Sequence, residues 1–306
     1  MKSKIRKVTW LVWALLMLSG AGAWAATYSG TTGGCNWSFN TSTGVLTISK
    51  GEDVYTGRGS NRILQYAAGE TENYHHTWYY PSDGQNRKTG DYEGTAPFSN
   101  SRSFNKSSIK HIVVEEGVVK LGAAIFAGLT NLEDVSLPNS LETISYEAFR
   151  ECKKLESIHL GPNVCTLGDR WLTGTYSGNY YSDRTGRSPS TLDSMTTITV
   201  DPANTCFVVD KYGVLYTADY KTLVKLPQHL LIDEIVIPEG VTKIGDEAFY
   251  YCTGLTSLTI PNSVTKISYM AFYDCSGLTS LNIPNSVTEI GEQAFRQCSG
   301  LTSLNI

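Results

Sequence analysis

The chain is short of the patterns that carry chemistry. Its 306 residues contain no H-E-x-x-H, no G-x-S-x-G and no G-x-x-x-x-G-K-[ST]. That leaves no motif for a zinc protease, a hydrolase nucleophile elbow or a phosphate-cradling loop. No C-x-x-C occurs either, so the usual half of a structural zinc site is missing. Basic residues are not in excess: 25 Lys and Arg face 29 Asp and Glu, a formal net charge of −4. Clustered cations are what a phosphate backbone or an anionic membrane attracts, so neither is expected as a partner. The seven cysteines are an odd number, which excludes a complete intrachain disulfide framework. No cofactor and no metal are expected.

Long hydrophobic runs are also missing, with one exception at the start. Lys2, Lys4, Arg6 and Lys7 precede an apolar run from Val8 to Leu18, and Ala23-Trp24-Ala25 follows as a small-residue cleavage pattern. This layout predicts a cleaved export signal over residues 1–25, too short to span a bilayer, with no membrane insertion afterwards. The segment holds four positive and no acidic residues, so the remaining chain would carry −8.

What the chain has is a sentence repeated every 23 residues: V-x-x-I-G-x-x-A-F-x-x-C-x-x-L-x-x-L-x-I-P-N-S. It is clearest at 241–263, 264–286 and 287–306, and two drifted copies run over 118–140 and 141–163. A fixed period of this size marks a solenoid whose units bury their apolar faces only against their neighbours. Leu255, Leu258 and Ile260 end in the period-2 pattern of a half-buried strand, and Pro261-Asn262-Ser263 turns the chain. Ala248, Phe249 and Cys252 fall on one face of one or two expected helical turns. Asp246 and Glu247 would open that helix, and Gly245 would supply a permissive corner.

Stacking puts like over like. Phe126, Phe149, Phe249, Phe272 and Phe295 should form an aromatic row, and Cys152, Cys252, Cys275 and Cys298 a row of core thiols. Whether Cys35, Cys165 or Cys206 pair is left open. The outward strand positions, such as Ser257/Thr259, Ser280/Asn282, Ser303/Asn305 and Ser157/His159, would form a flat ladder without an anchor residue. His111 should also face solvent from a strand.

The repeat defines the organisation. Residues 26–104 read as an N-terminal β cap module with an aromatic insertion at 55–95, in which a hairpin of Trp37–Phe39 and Gly44–Ile48 covers the first coil. Repeats over 105–204 follow, with an insertion at 170–191 that breaks the unit at Trp171. A β meander interrupts at 205–231, with apolar runs 206–209, 214–217 and 222–226 joined by turns. The repeats resume over 232–306 and end straight after a strand, as in an array cut short. The fold expected is an α/β repeat solenoid, a right-handed stack of short parallel strands and short helical turns.

Val241-Thr-Lys-Ile-Gly-Asp-Glu-Ala-Phe and Leu255-Thr-Ser-Leu-Thr-Ile-Pro-Asn resemble the BspA-like leucine-rich repeats of bacterial surface proteins. Ser29-Gly30 with Trp37 and Gly44-Val-Leu-Thr-Ile-Ser resembles that family's leader module. Asp210-x-x-Gly-Val-Leu-Tyr with Lys221-Thr-Leu resembles its interrupting hairpin. The resemblance implies a secreted or cell-surface, non-catalytic protein that adheres to host or bacterial surface proteins of the extracellular-matrix type. The family has no shared catalytic residues to carry over.

Function is expected where the repeat is interrupted. Tyr66, Tyr74, Trp78, Tyr79 and Tyr80 in the first insertion, and Trp171, Tyr176, Tyr180 and Tyr181 in the second, stand among Gly, Asn and Ser. That is the composition of adaptable binding loops, because two-χ aromatics give contact area at low entropy cost. The same rings would suit a carbohydrate-binding module, and a third possibility is the targeting region of a larger enzyme. The plainer reading is that these loops pad the side of the solenoid.

Overall fold

The computed structural model describes residues 26–32, 35–50, 105–122, 125–172, 194–230 and 232–305. They form a β-solenoid of coils that run through a long outer strand on one face and a short strand on a second face. The chain opens with three antiparallel strands, β1 (Thr27–Thr32), β2 (Cys35–Asn40) and β3 (Val45–Lys50). A 3-10 turn at Lys106–Ser108, capped by Asn105, leads into β4 (His111–Val114), which pairs parallel to β3 and so continues the sheet. The short strand β5 (Lys120–Leu121) and the outer strand β6 (Asp134–Ser136) complete the next turn of chain. Then come β7 (Thr143–Ile144), β8 (Ser157–Leu160), β9 (Thr166–Leu167) and β10 (Thr197–Val200). Short strands β5-β7-β9 stack in parallel, as do outer strands β8 and β10.

The interruption is a meander. Strands β11 (Phe207–Val209), β12 (Leu215–Thr217) and β13 (Thr222–Lys225) run antiparallel to one another, close to the expected runs. Asp210 and Asp219 make their turns, each carboxylate accepting a backbone N–H two residues on, from Tyr212 at 2.8 Å and Lys221 at 2.9 Å. Regular coils then resume: β14 (Glu234–Val236), β15 (Lys243–Ile244), β16 (Ser257–Thr259), β17 (Lys266–Ile267), β18 (Ser280–Asn282), β19 (Glu289–Ile290) and β20 (Ser303–Asn305). Strand β13 pairs parallel with β15, so the meander joins the short-strand ladder β15-β17-β19 directly.

The expected helical turns are absent from the described repeats, and the backbone explains why. Positions seven and eleven of the unit are left-handed without being glycine: Glu247 (φ 53°) and Tyr251 (φ 59°), Met270 (φ 49°) and Asp274 (φ 53°). This alternation sends every second N–H to the next coil. Glu247, Phe249 and Tyr251 donate to the carbonyls of Tyr269, Ala271 and Tyr273 at 2.9, 2.8 and 2.9 Å. The residues between them close turns within the coil, Ala248 to Gly245 and Cys252 to Phe249. A true helix would keep all these donors inside one coil and leave nothing to stack on. Left-handed L-residues cost about 1–2 kcal/mol each, which the inter-coil bonds and the burial they bring must offset.

Gly245 is likewise not a conformational hinge, since its φ is ordinary. A Cβ there would meet the Leu223 carbonyl at 2.8 Å, and one on Gly291 would meet the Tyr269 nitrogen at 2.5 Å. Close approach of neighbouring coils is the reason for glycine here.

Hydroxyls in the repeat also bind coil to coil. Ser263 and Ser286, last in the P-N-S turn, donate to the Val241 and Val264 carbonyls at 2.8 Å each. Thr256 and Thr302, following the first Leu, donate to Asp233 and Thr279 one unit back, at 2.9 and 3.0 Å. In the core the aromatic row stacks as expected, with centroids 4.9 Å apart for Phe249–Phe272 and 5.3 Å for Phe272–Phe295. Cys152, Cys275 and Cys298 donate their thiols to Phe126, Phe249 and Phe272 carbonyls at 3.3, 3.0 and 2.9 Å.

Two measurements probe this packing. Phe272→Ala opens a void between two stacked rings and should lower unfolding free energy by about 3–5 kcal/mol in urea titration. Burial pushes the thiols up, Cys35 and Cys252 to about 12, and Cys152 and Cys275 further. Their stabilising effect is whole below the unfolded thiol value near 8.5 and is lost as pH rises towards the folded values. Melting temperature should therefore fall above about pH 8.5, and less steeply in Cys275→Ala.

Candidate binding surfaces

Strand alternation sorts the outer face. Ile112, Ile158, Ile198, Ile235, Leu258 and Leu281 point inward and are buried, while their neighbours face solvent. Outward along the stack stand His111 and Val113, Asp134 and Ser136, Ser157 and His159, Thr197 and Thr199. After the interruption come Glu234 and Val236, Ser257 and Thr259, then Ser280 and Asn282. Half of these fourteen are Ser or Thr. His111 Nδ1 pairs with the Asp134 carboxylate in the next coil, and His159 Nδ1 meets Thr199 Oγ1 at 2.9 Å, so both histidines are surface partners of neighbouring rungs. Val236 breaks the pattern as a large apolar side chain that is 52% exposed.

The second feature is a buried polar joint between the two blocks of repeats. Arg170 occupies the seventh position of its unit, the position of Glu147 and Glu247 in theirs. Its Nε lies 2.9 Å from Glu247 Oε1 and its guanidinium 3.4 Å from Glu147 Oε1, so one side chain ties coils from before and after the meander. Arg150 adds a contact to Glu147 at 3.1 Å. Burial alone would push Arg170 down; the Glu247 carboxylate, with Tyr146 and Glu147, more than offsets it and holds the guanidinium above its ordinary value.

Lys225, at the end of β13, is buried among this group. Its ammonium donates to the Glu247 carbonyl at 2.8 Å and lies over the Tyr250 ring at 5.9 Å. Burial pushes it below the ordinary lysine range, only partly offset by the Glu247 carboxylate. Tyr250, Tyr251, Tyr273 and Met270 form a separate apolar cluster beside it, with ring centroids 4.8–5.9 Å apart.

Two more devices close the joint. Cys165, beside β9, is disulfide-bonded to Cys206, beside β11, with Cα atoms 5.2 Å apart. This pair is at the surface, unlike the core thiols. The Asn204 amide donates to Gly161 and Val164 carbonyls at 2.7 and 2.9 Å, and its oxygen accepts from the Cys206 and Phe207 amides at 2.8 Å each.

Eight of the nine aromatics singled out from the sequence, Tyr66, Tyr74, Trp78, Tyr79, Tyr80, Tyr176, Tyr180 and Tyr181, lie outside the described residues. Trp171 is described and is not a surface ring: it is buried in the core. It stands where other units have Ala, and its carbonyl accepts from Phe149 at 3.0 Å as Ala271 does from Phe249. The repeat therefore runs on through Leu172, which takes the Phe position, and does not break at Trp171. The sequence reading missed Arg170, Lys225 and Val236. An Arg in the repeat position that Glu147 and Glu247 hold in two other units was the available signal for the joint.

Among the described residues no group of three His, Cys, Asp or Glu could hold a metal ion, and no helix is long and apolar enough to cross a membrane. The core cysteines, held protonated by burial, make poor nucleophiles.

These features define a leucine-rich β-solenoid interrupted by a β meander. The model of the BspA type leucine rich repeat region matches residues 98–179 and 228–306 in six copies, and the chain belongs to that family. Among solved structures, the pneumococcal vaccine antigen PcpA is 22% identical with a TM-score of 0.52, covering 67% of this chain and 52% of its own. A leucine-rich repeat protein from Eubacterium ventriosum is 18% identical (TM-score 0.48; 92% of this chain, 72% of that one). A leucine rich cell surface protein from Faecalibacterium prausnitzii is 16% identical (TM-score 0.46; 92% and 96%). At these identities the PcpA likeness supports the fold alone. No curated protein sequence matches the chain.

Arg170→Met tests the joint. It removes the guanidinium that links the buried Glu247 carboxylate to Glu147 and should cost about 3–5 kcal/mol in denaturant unfolding, with protease sensitivity rising first between residues 194 and 232.

Proposed function

We propose that this chain is an exported, non-catalytic adhesion module that binds proteins of the extracellular-matrix type at a bacterial surface. The observation that carries the reading is the outer sheet face, where Ser, Thr, Asn and His side chains stand in stacked pairs, among Asp134, Glu234 and Val236, over a buried apolar core. Such a surface offers hydrogen-bonding area without a reactive centre, and extended solenoid faces suit large partners. Export is supported by the basic and apolar segment at 1–25 and by the surface disulfide Cys165–Cys206, since such bonds persist in oxidising compartments. The aromatic insertions, with Tyr66, Tyr74, Trp78, Tyr79, Tyr80, Tyr176, Tyr180 and Tyr181, belong to the proposed recognition surface; Trp171 does not.

The test is binding of the chain from residue 26 onward to immobilised matrix proteins, run beside a glycan array. Saturable binding to a protein, weakened at least about tenfold by Ser257→Lys with Ser280→Lys, is the expected result. Binding confined to glycans, or untouched by the two lysines, would overturn the assignment of protein adhesion to this face.

A further inference from the structure

The P-N-S turn recurs along one edge of the solenoid, and its three copies are not equally protected. Asn139-Ser140, Asn262-Ser263 and Asn285-Ser286 each follow a proline and precede the first residue of the next unit. In each, the N–H after the serine closes the turn on the proline carbonyl. Leu141 reaches Pro138 at 3.2 Å, Val264 reaches Pro261 at 3.1 Å and Val287 reaches Pro284 at 3.0 Å. The serine hydroxyls donate to the carbonyls of Val118, Val241 and Val264 at 2.9, 2.8 and 2.8 Å. All three asparagines are exposed. The turns are thus built alike.

They differ in one partner. The Glu116 carboxylate accepts from Asn139 N at 2.9 Å and from Ser140 N at 3.1 Å. One unit back from the other two asparagines stand Glu239 and Asn262. Neither makes that bond, and among the described residues the Ser263 and Ser286 amides have no hydrogen-bond acceptor.

An exposed asparagine followed by a small residue is open to attack by its own backbone. The serine amide nitrogen loses its proton and attacks the asparagine Cγ. The N–Cγ bond forms, the Cγ–Nδ2 bond breaks, and ammonia leaves carrying a proton equivalent to the one lost. Water then opens the succinimide at either carbonyl, giving aspartate or isoaspartate. A carboxylate that accepts the serine N–H holds that proton and opposes the negative charge of the deprotonated nitrogen.

We propose that Asn262 and Asn285 are sites of spontaneous deamidation through a succinimide with the following serine, and that Glu116 shields Asn139 from the same reaction. Either product puts a carboxylate where a neutral amide stood, on the turn edge of the second block. Isoaspartate also routes the main chain through its own Cβ, lengthening a coil whose rungs depend on register. The array therefore ages unevenly. Coils from 262 onward loosen with time, while the turn at 138–141 keeps its geometry.

Peptide mapping by mass spectrometry, on the chain from residue 26 onward held at mildly alkaline pH, reads the conversion at each turn. Asn262 and Asn285 should convert at least about tenfold faster than Asn139. Dissolved in urea, all three should convert alike, because the shield belongs to the fold. Glu116→Ala should raise Asn139 to the rate of the other two and leave theirs unchanged. If that variant does not fold, hydrogen exchange in the wild type decides: Ser263 and Ser286 amides should exchange at least about tenfold faster than Ser140. Aged wild type should melt earlier than fresh protein, and the double variant Asn262→Gln with Asn285→Gln should not. Equal conversion of the three turns in the folded chain, or a difference that persists in urea, would overturn the proposal. So would an Asn139 unmoved by Glu116→Ala, equal exchange of the three serine amides, or ageing that the double variant fails to prevent.

Discussion

Everything in this molecule depends on hydrogen bonds that leave one coil and land on the next, one repeat later. The strands send N–H groups back to the preceding unit, as from Lys266 to Thr242 and Ser257 to Asp233, while the turn between Gly245 and Cys252 sends its alternate N–H groups on to the following one. The recurring letters of the repeat are the ones this traffic needs. Glycine stands where coils approach too closely for a Cβ, and serine and threonine stand where a carbonyl one unit away can be reached. Phe and Cys fill the space that the ladders enclose. The left-handed residues, costly on their own, make sense only because they turn alternate amides outward to the stack.

The interruption is where this rule is suspended and other forces take over. A meander lacks the turn pattern of a coil, so the two blocks cannot be joined by the regular ladder alone. Three substitutes appear together: a disulfide, an asparagine clamp and a buried arginine held by carboxylates from both blocks. Buried charge of this kind is weak as a source of stability but strict about geometry. It fixes how the second block continues from the first, and with it the spacing of the outer strands on either side.

Much of the architecture was legible because a repeat displays its core directly. The Phe and Cys rows, the strand after Leu255, the corner at Pro261 and the three meander runs all follow from period and residue type. The turn segment was misread as helix because i, i+1, i+4 spacing of Ala248, Phe249 and Cys252 suits a helix as well as a turn facing the same core. Only backbone dihedrals separate the two. Trp171 was misread for a related reason: a large ring in an alanine position looks like a break, although the core beside it has room because Leu172 replaces Phe. Pairings between distant positions, Cys165 with Cys206 and Arg170 with Glu247, have no local signature. The proposed binding face was the least legible part, because Ser, Thr and Asn at outward positions read as ordinary solvent-facing strand.

If the inter-coil ladder is the governing constraint, the length of a unit matters more than its contents. Removing residues 264–286 as one whole coil should leave a folded protein, since Val241–Ser263 can stack on Val287 with every rung in place. Inserting a single residue after Asn262 should shift every following side chain out of register. Comparing the urea unfolding of these two variants tests the account most directly. It predicts a cooperative transition for the deletion and loss of the second block for the insertion. Equal tolerance of the two changes would contradict it.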